Sequence, residues 1–311
     1  MPEINLIKFD GKPIEKLVEV ISNGIGTIYK PRAIRKEAEA EAYKIEIIER
    51  ARSNALSEGR LIEADTYNKI QERVLHKETM RQQNIDNVSQ IAAELLAQEQ
   101  TVSSEPVDND WTTRYFNIIE DVSKEEMQIL WGKILAGEVK QPKSFSIRTL
   151  ETIRNLSKHE ANVFKNAANF AIKLGNENFI FENNNKEKLK NDIGISYADI
   201  ALLIDIGLMQ SGSFVNYHIF QNPVDSQQIF TAGNFAIFVN IKANTPTIQI
   251  PANIFSRAGN ELIKIIFPTV SFEYLQYFAN SIKNENVEVK YAYIQEWEGT
   301  SFKYKQPLMD F

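Results

Sequence analysis

The chain has 311 residues, 43% of them hydrophobic and 24% charged, with a net charge of −6 and no cysteine. Length and composition exclude wholesale disorder and predict two or three packed domains. The lack of cysteine excludes disulfides, thiolate metal sites and cysteine nucleophiles together.

The acid excess lies in residues 1–142, with 19 Lys and Arg against 25 Asp and Glu, whereas residues 143–311 balance at 16 against 16. Neither half has the basic excess that phosphate neutralisation rewards, so nucleic acid is not an expected partner. The start, MPEINLIKFDGK, has no basic region followed by an apolar run and cleavage site. A cytoplasmic location is expected.

The first element is an amphipathic helix over 14–29. Ile14, Leu17, Val18, Ile21, Ile25 and Ile28 recur at helical spacing, opposite Glu15, Lys16, Glu19, Ser22 and Asn23. Gly24 and Gly26 each cost about 1 kcal/mol relative to alanine within a helix, which predicts a bend, a close approach or a loose end there. Pro31 interrupts the helix, and Lys30, Arg32, Arg35 and Lys36 form a basic run around it.

Residues 32–98 form a charge-rich helical arm. Ile34, Ala38, Ile45, Ile48 and Ala55 make a broken apolar seam; Leu61, Ile62, Ala64, Tyr67, Ile70, Val74 and Leu75 continue one beyond Gly59, and 84–96 reads as a further amphipathic helix. The heptad is imperfect, favouring a helical hairpin or arm over a long coiled coil. Residues 99–110, polar and containing Pro106, read as a linker.

A central helical block follows over 111–175. Trp111 and Tyr115 mark one helical face. Ser123 with Glu126 has capping-box spacing before a helix bearing Leu130, Trp131 and Leu135, which Gly137 is expected to close. Trp111, Leu130, Trp131 and Leu135 are assigned to core packing between two neighbouring helices. A third helix is expected over 146–155, and Ser157 with Glu160 repeats the capping box before a fourth.

Residues 176–311 read as a mixed α/β region. Strands are expected at 178–181 and, as a pair, at 213–220 and 235–243; a buried helix lies at 197–210. Pro251 argues for an edge or turn after TIQI, and VEVKYAYIQEWEG reads as the closing strand. The order of elements over about 144–243 suggests a winged-helix-like unit. The fold class is therefore α+β: a helical amino-terminal half, a central helical block and a carboxy-terminal α/β region.

Catalytic patterns are absent from the sequence. His76, His159 and His218 have no second ligand at metal spacing, and no P-loop, nucleophile elbow, Rossmann fingerprint or H-E-x-x-H occurs. The expectation is a protein that is not an enzyme and needs no cofactor.

The run MQILWGKILAGEVKQPKSFSIRTLETIRNLSKHEANVF at 127–164 and KPIEKLVEVISNGIGTIYKPRAIRKEAEAEAY at 12–43 resemble a bacterial family known as domain of unknown function 2806. The first run is also distantly similar to abortive-infection alpha proteins, through Leu130, Trp131, Leu135 and Ala136. The resemblance implies a protein of bacteria and their prophages acting against phage, with no catalytic residue to carry over.

These readings lead to an anti-phage effector that oligomerises on sensing a phage component, such as a component of an oligomeric particle, and disrupts the membrane. In it, Ile14, Leu17, Val18, Ile21, Gly24, Ile25, Gly26, Ile28 and Tyr29 face lipid, and Lys30, Arg32, Arg35 and Lys36 meet headgroups at the inner face of the cell membrane. One copy of such a helix reaches only about 24 Å, short of a core of about 30 Å, so several copies are needed. The alternative is a non-enzymatic, winged-helix-like adaptor binding protein or nucleic acid.

Overall fold

The computed structural model describes residues 11–26, 53, 61–182, 194–211, 215–266, 268–299 and 301–311. It divides into two compact units, Met1–Ile147 and Arg148–Phe311. The sequence suggested a break near 175; the division instead places residues 148–168 with the sheet.

The first unit is helical. It contains α1 (Lys12–Ile25), α2 (Leu61–Leu96), α3 (Asn109–Ile119) and α4 (Glu125–Lys140). The arm expected in two pieces over 61–98 is one uninterrupted helix of 36 residues. Its residues between 75 and 84 are polar but unbranched helix formers for the most part, so nothing forces a break.

α3 starts at an Asp108 cap whose carboxylate accepts from Trp111 N. α4 starts one residue later than the Ser123/Glu126 box requires: Lys124 is its N-cap, and no side chain caps it. Nor does Gly137 end α4, which runs on to Lys140. Gly137 serves a contact instead, because a Cβ there would lie 2.8 Å from the Phe145 ring.

The stretch 99–110 is bound into this unit. Ser103 N donates to Lys140 O at 3.0 Å, Lys140 Nζ meets Glu99 at 2.7 Å, and Val107 is buried. Beyond α4, the buried Glu138 carboxylate accepts from Lys143 N at 2.6 Å and Phe145 N at 2.9 Å, turning the chain back.

The second unit packs helices and an antiparallel sheet. α5 (Ile147–Asn155) and α6 (Lys158–Ala168) lead to the hairpin β1 (Ile172–Leu174) and β2 (Glu177–Phe181), then α7 (Tyr197–Asp205). Next come β3 (Val215–Ile219), β4 (Ser226–Ala232), β5 (Phe235–Ile241) and β6 (Ile248–Ile254). α8 (Arg257–Ile266), α9 (Phe272–Ile282), β7 (Val287–Glu298), β8 (Ser301–Tyr304) and β9 (Met309–Asp310) complete the chain. The capping box of Ser157 and Glu160 forms on α6, and a second, Ser196 with Asp199, opens α7.

Strand order is β3-β6-β2-β1-β4-β5-β7-β8, with β9 also on β7. The strands expected as a pair at 213–220 and 235–243 are both present but are not partners: β3 pairs with β6, and β5 lies between β4 and β7. The three helices expected over 144–243 are thus joined to a larger sheet rather than to an isolated wing. Pro251 lies inside β6, between β3 and β2. Its carbonyl accepts from Glu182 N, so the missing N–H falls where β2 has already ended.

One sheet face is closed by α9. Phe179, Phe181, Phe230, Val239 and Ile250 pack there with Leu275 and Phe278. The Tyr274 hydroxyl accepts from Phe181 N at 2.8 Å, and burial raises its pKa.

Candidate functional site in the helical unit

α1 occupies the place where the sequence put its membrane-active residues. Gly11 precedes it, Pro13 sits in its first turn, and Gly26 at φ 71° ends it. The helix therefore stops at Ile25, four residues short of the expected end. Ile28, Tyr29, Lys30, Arg32, Arg35 and Lys36 lie outside the described residues.

Pro13, Ile14, Leu17, Val20 and Ile21 are buried. Val18, Gly24 and Ile25 are half-buried, and Gly26 is exposed. The inward face is rotated relative to the apolar stripe read from sequence, towards Val20 and Gly24. Gly24 explains the rotation: a Cβ there would lie 2.0 Å from Phe116 Cδ2 of α3, so the bare backbone packs on that ring. Of the roles expected for its two glycines, one makes a close approach and the other ends the helix.

A polar clasp fixes α1 on its other side. Lys16 Nζ donates to Ser103 O and Glu105 O, each at 2.7 Å. Burial lowers the Lys16 pKa, opposed by the charges of Glu19, Glu105 and Glu138.

The core beneath is aromatic. Trp111 stacks on Tyr115 at 4.9 Å, and Tyr115 meets the Trp131 edge at 5.6 Å while its hydroxyl donates to Trp131 O at 2.7 Å. Burial raises the Tyr115 pKa well above the usual tyrosine value. Trp111, Trp131 and Leu135 are buried; Leu130 is half-buried. Tyr115 is the residue that joins the two tryptophans, and its spacing of four from Trp111 was the available signal.

α2 has a divided inner face. Ile85, Val88, Ala92 and Leu96 are buried. Gly132 of α4 lets that face come close, since a Cβ there would lie 2.5 Å from Ile91 Cγ2. A polar boundary follows towards the amino end: Asn84 Nδ2 donates to Glu120 O at 2.8 Å, and Gln128 Nε2 to Asn84 Oδ1 at 3.2 Å. Arg81 reaches Glu120 at 3.0 Å, Asp121 at 3.2 Å and Glu78 at 3.5 Å.

Before that boundary large apolar side chains of the helix are exposed. Tyr67, Ile70, Val74, Leu75 and Met80 are each between 40% and 51% exposed. Tyr67, Ile70 and Val74 recur at spacings of three and four and lie in line with Ile85, Val88 and Ala92 on the helix. The stripe thus continues the line of a packed seam into an exposed stretch of the same helix.

Among the described residues no group of three or more His, Asp or Glu side chains is placed to hold a metal ion. His76, His159 and His218 stand on α2, α6 and β3. No helix among the described residues is long and apolar enough to cross a membrane.

Fold and site together define a two-unit α+β protein whose helical unit docks an amphipathic helix and leaves an apolar stripe exposed along part of a long one. Residues 68–279, more than half of the chain, match the family described as Protein of unknown function (DUF2806), and the chain belongs to that family. No curated protein and no solved structure matches it. The match takes in 127–164, one of the two stretches that carried the resemblance, and begins after 12–43. It lends no support to the similarity with abortive-infection alpha proteins.

Proposed function

We propose that this chain is a non-enzymatic assembly protein that pairs with a second copy of itself through the bare half of α2. The observation that supports this reading is the exposed stripe Tyr67, Ile70 and Val74, continuous with the packed seam of the same helix. Apolar side chains at this spacing gain by covering one another, and an identical helix offers the same pattern.

Charge favours the same partner. With Tyr67 and Val74 at heptad positions a and Ile70 at d, Arg73 falls at g and Glu78 at e. Between two parallel copies, g and the e position five residues further on face each other, so Arg73 meets Glu78 of the second copy.

The lack of natural cysteine makes the test direct. Ile70→Cys is expected to form a copy-to-copy disulfide under mild oxidation, and Gln83→Cys, on the opposite face of α2, is not. Equal cross-linking of the two variants would refute the pairing.

A second reading is the anti-phage effector, with α1 held at rest and released to membrane by a phage-encoded trigger. What supports it is that α1 is amphipathic and held by a clasp of two hydrogen bonds. Its release exposes Ile14, Leu17, Val20 and Ile21, at about 1.5–3 kcal/mol for each side chain. The trigger has to supply that energy through differential binding. Dye release from anionic liposomes that needs both residues 1–30 and lysate from phage-infected cells would favour this reading; none under either condition would dismiss it.

A further inference from the structure

The sheet of the second unit has an open strip on the face away from α9. One transverse row runs Asn178, Lys173, Thr231, Ala236, Ala292 across β2, β1, β4, β5 and β7, and cross-strand partners share a face. Both ends of that row are covered. At one end Asn260 of α8 accepts from Asn178 N and Nδ2, each at 2.8 Å. At the other, Ala236 and Ala292 are buried with Phe302, Tyr304 and Leu308 of the last hairpin.

Lys173 and Thr231 form the floor between these covers, both half-buried, and Ile229 extends it, 40% exposed. Each cover contributes a side chain to the strip. Lys264 stands one turn beyond Asn260 on α8, is exposed, and acts electrostatically on Lys173. Trp297, at the end of β7, is 46% exposed, and Lys173 Nζ lies 5.9 Å from its ring centroid.

Among the described residues no carboxylate pairs with Lys173 or Lys264, and the contact made by the Lys173 ammonium is to an aromatic ring. Burial lowers the Lys173 pKa, and the charge of Lys264 lowers it further. A half-desolvated ammonium that feels a second positive charge is relieved by an anion. The neighbouring indole, with Thr231 as a hydroxyl donor, suits an anion attached to a flat ring.

We infer that this strip binds a nucleotide: the phosphate between Lys173 and Lys264, the base against the exposed part of Trp297. The ligand chemistry is the same in a free nucleotide and in a single-stranded oligonucleotide, and the balanced charge of residues 143–311 fits a site of one or two phosphates rather than a long electrostatic track.

Tryptophan fluorescence reads the site, because Trp111 and Trp131 are buried and Trp297 is half exposed. The full chain is titrated with AMP, with inorganic phosphate and with a short oligodeoxythymidylate, alongside Lys264→Gln and Trp297→Phe. Both variants alter exposed side chains, and their thermal unfolding is compared with that of the parent. The inference expects AMP, the oligonucleotide or both to quench emission, with Trp297→Phe losing the signal. Lys264→Gln is expected to weaken binding at least about fivefold, and inorganic phosphate to compete more weakly than the nucleotide. Quenching by AMP alone places the ligand as a free nucleotide; quenching by the oligonucleotide alone places it in a strand. No quenching by either at millimolar concentration overturns the inference, as does quenching unchanged in Lys264→Gln or matched by inorganic phosphate.

Discussion

Over 84–96 the inner face of α2 is closed against the rest of the helical unit, whereas over 67–80 the same face, with the same apolar spacing, meets solvent. Leu96 is 1% exposed and Leu75 is 42% exposed. The difference arises not from the helix but from what stands beside it. Gly132 lets α4 approach at Ile91, and the turn between α3 and α4 ends at Arg81 and Asn84 in a polar network. Periodicity specifies a face; a partner decides whether that face is core or interface.

The largest expected effect separates the two halves by stability. Leu96→Ala should lower the unfolding free energy of the helical unit by about 2–5 kcal/mol, whereas Leu75→Ala should change it by no more than about 0.5 kcal/mol. Urea denaturation of both variants, at a concentration low enough to suppress association, makes the comparison. Similar losses would mean that the bare half is also part of a core.

A smaller loss is expected where the close approach is made. Gly132→Ala gains helix propensity but forces a Cβ to 2.5 Å from Ile91 Cγ2, so the net change is a destabilisation of about 1–3 kcal/mol. Coupling to Ile91→Ala in a double-mutant cycle would sharpen the assignment, since the smaller side chain should relieve the clash.

The smallest effect falls at the boundary. Arg81 is partly exposed and shares its ion pairs among three carboxylates, so Arg81→Gln should lower stability only slightly, with less difference from the parent at high salt. A larger, salt-insensitive loss would show that Arg81 acts as core rather than as the edge of the seam.

Much of this comparison was legible in the sequence. Tyr67, Ile70 and Val74 stood out as a seam, Asn84 to Leu96 as an amphipathic helix, and Trp111 and Trp131 as neighbours in a core. Local signals carried these readings, as they did the Ser157/Glu160 box, where helix periodicity and a cap coincide. Where two local signals competed, the structure was needed to choose: Ser123 and Glu126 have box spacing, yet Lys124 is the N-cap.

Non-local features were not legible. Whether Gly24 bends α1 or receives a ring depends on Phe116, 92 positions away. The β3–β6 pairing joins strands separated by two others in sequence, and Pro251 is tolerated because β2 ends opposite it. β4, with Gln227 and Gln228 among its residues, lacks the near-continuous apolar run that identifies β5. The strip at Lys173 depends on a row drawn from five strands, which no window of sequence contains.

The central claim, that the bare half of α2 is a surface for a second copy, is tested most directly by sedimentation velocity of the full chain and of Val74→Glu across the micromolar range. The account predicts a parent that sediments as a dimer or larger assembly, and a Val74→Glu variant that shifts towards monomer without loss of thermal stability at low concentration. A parent that stays monomeric throughout, or a variant that associates as the parent does, would contradict it.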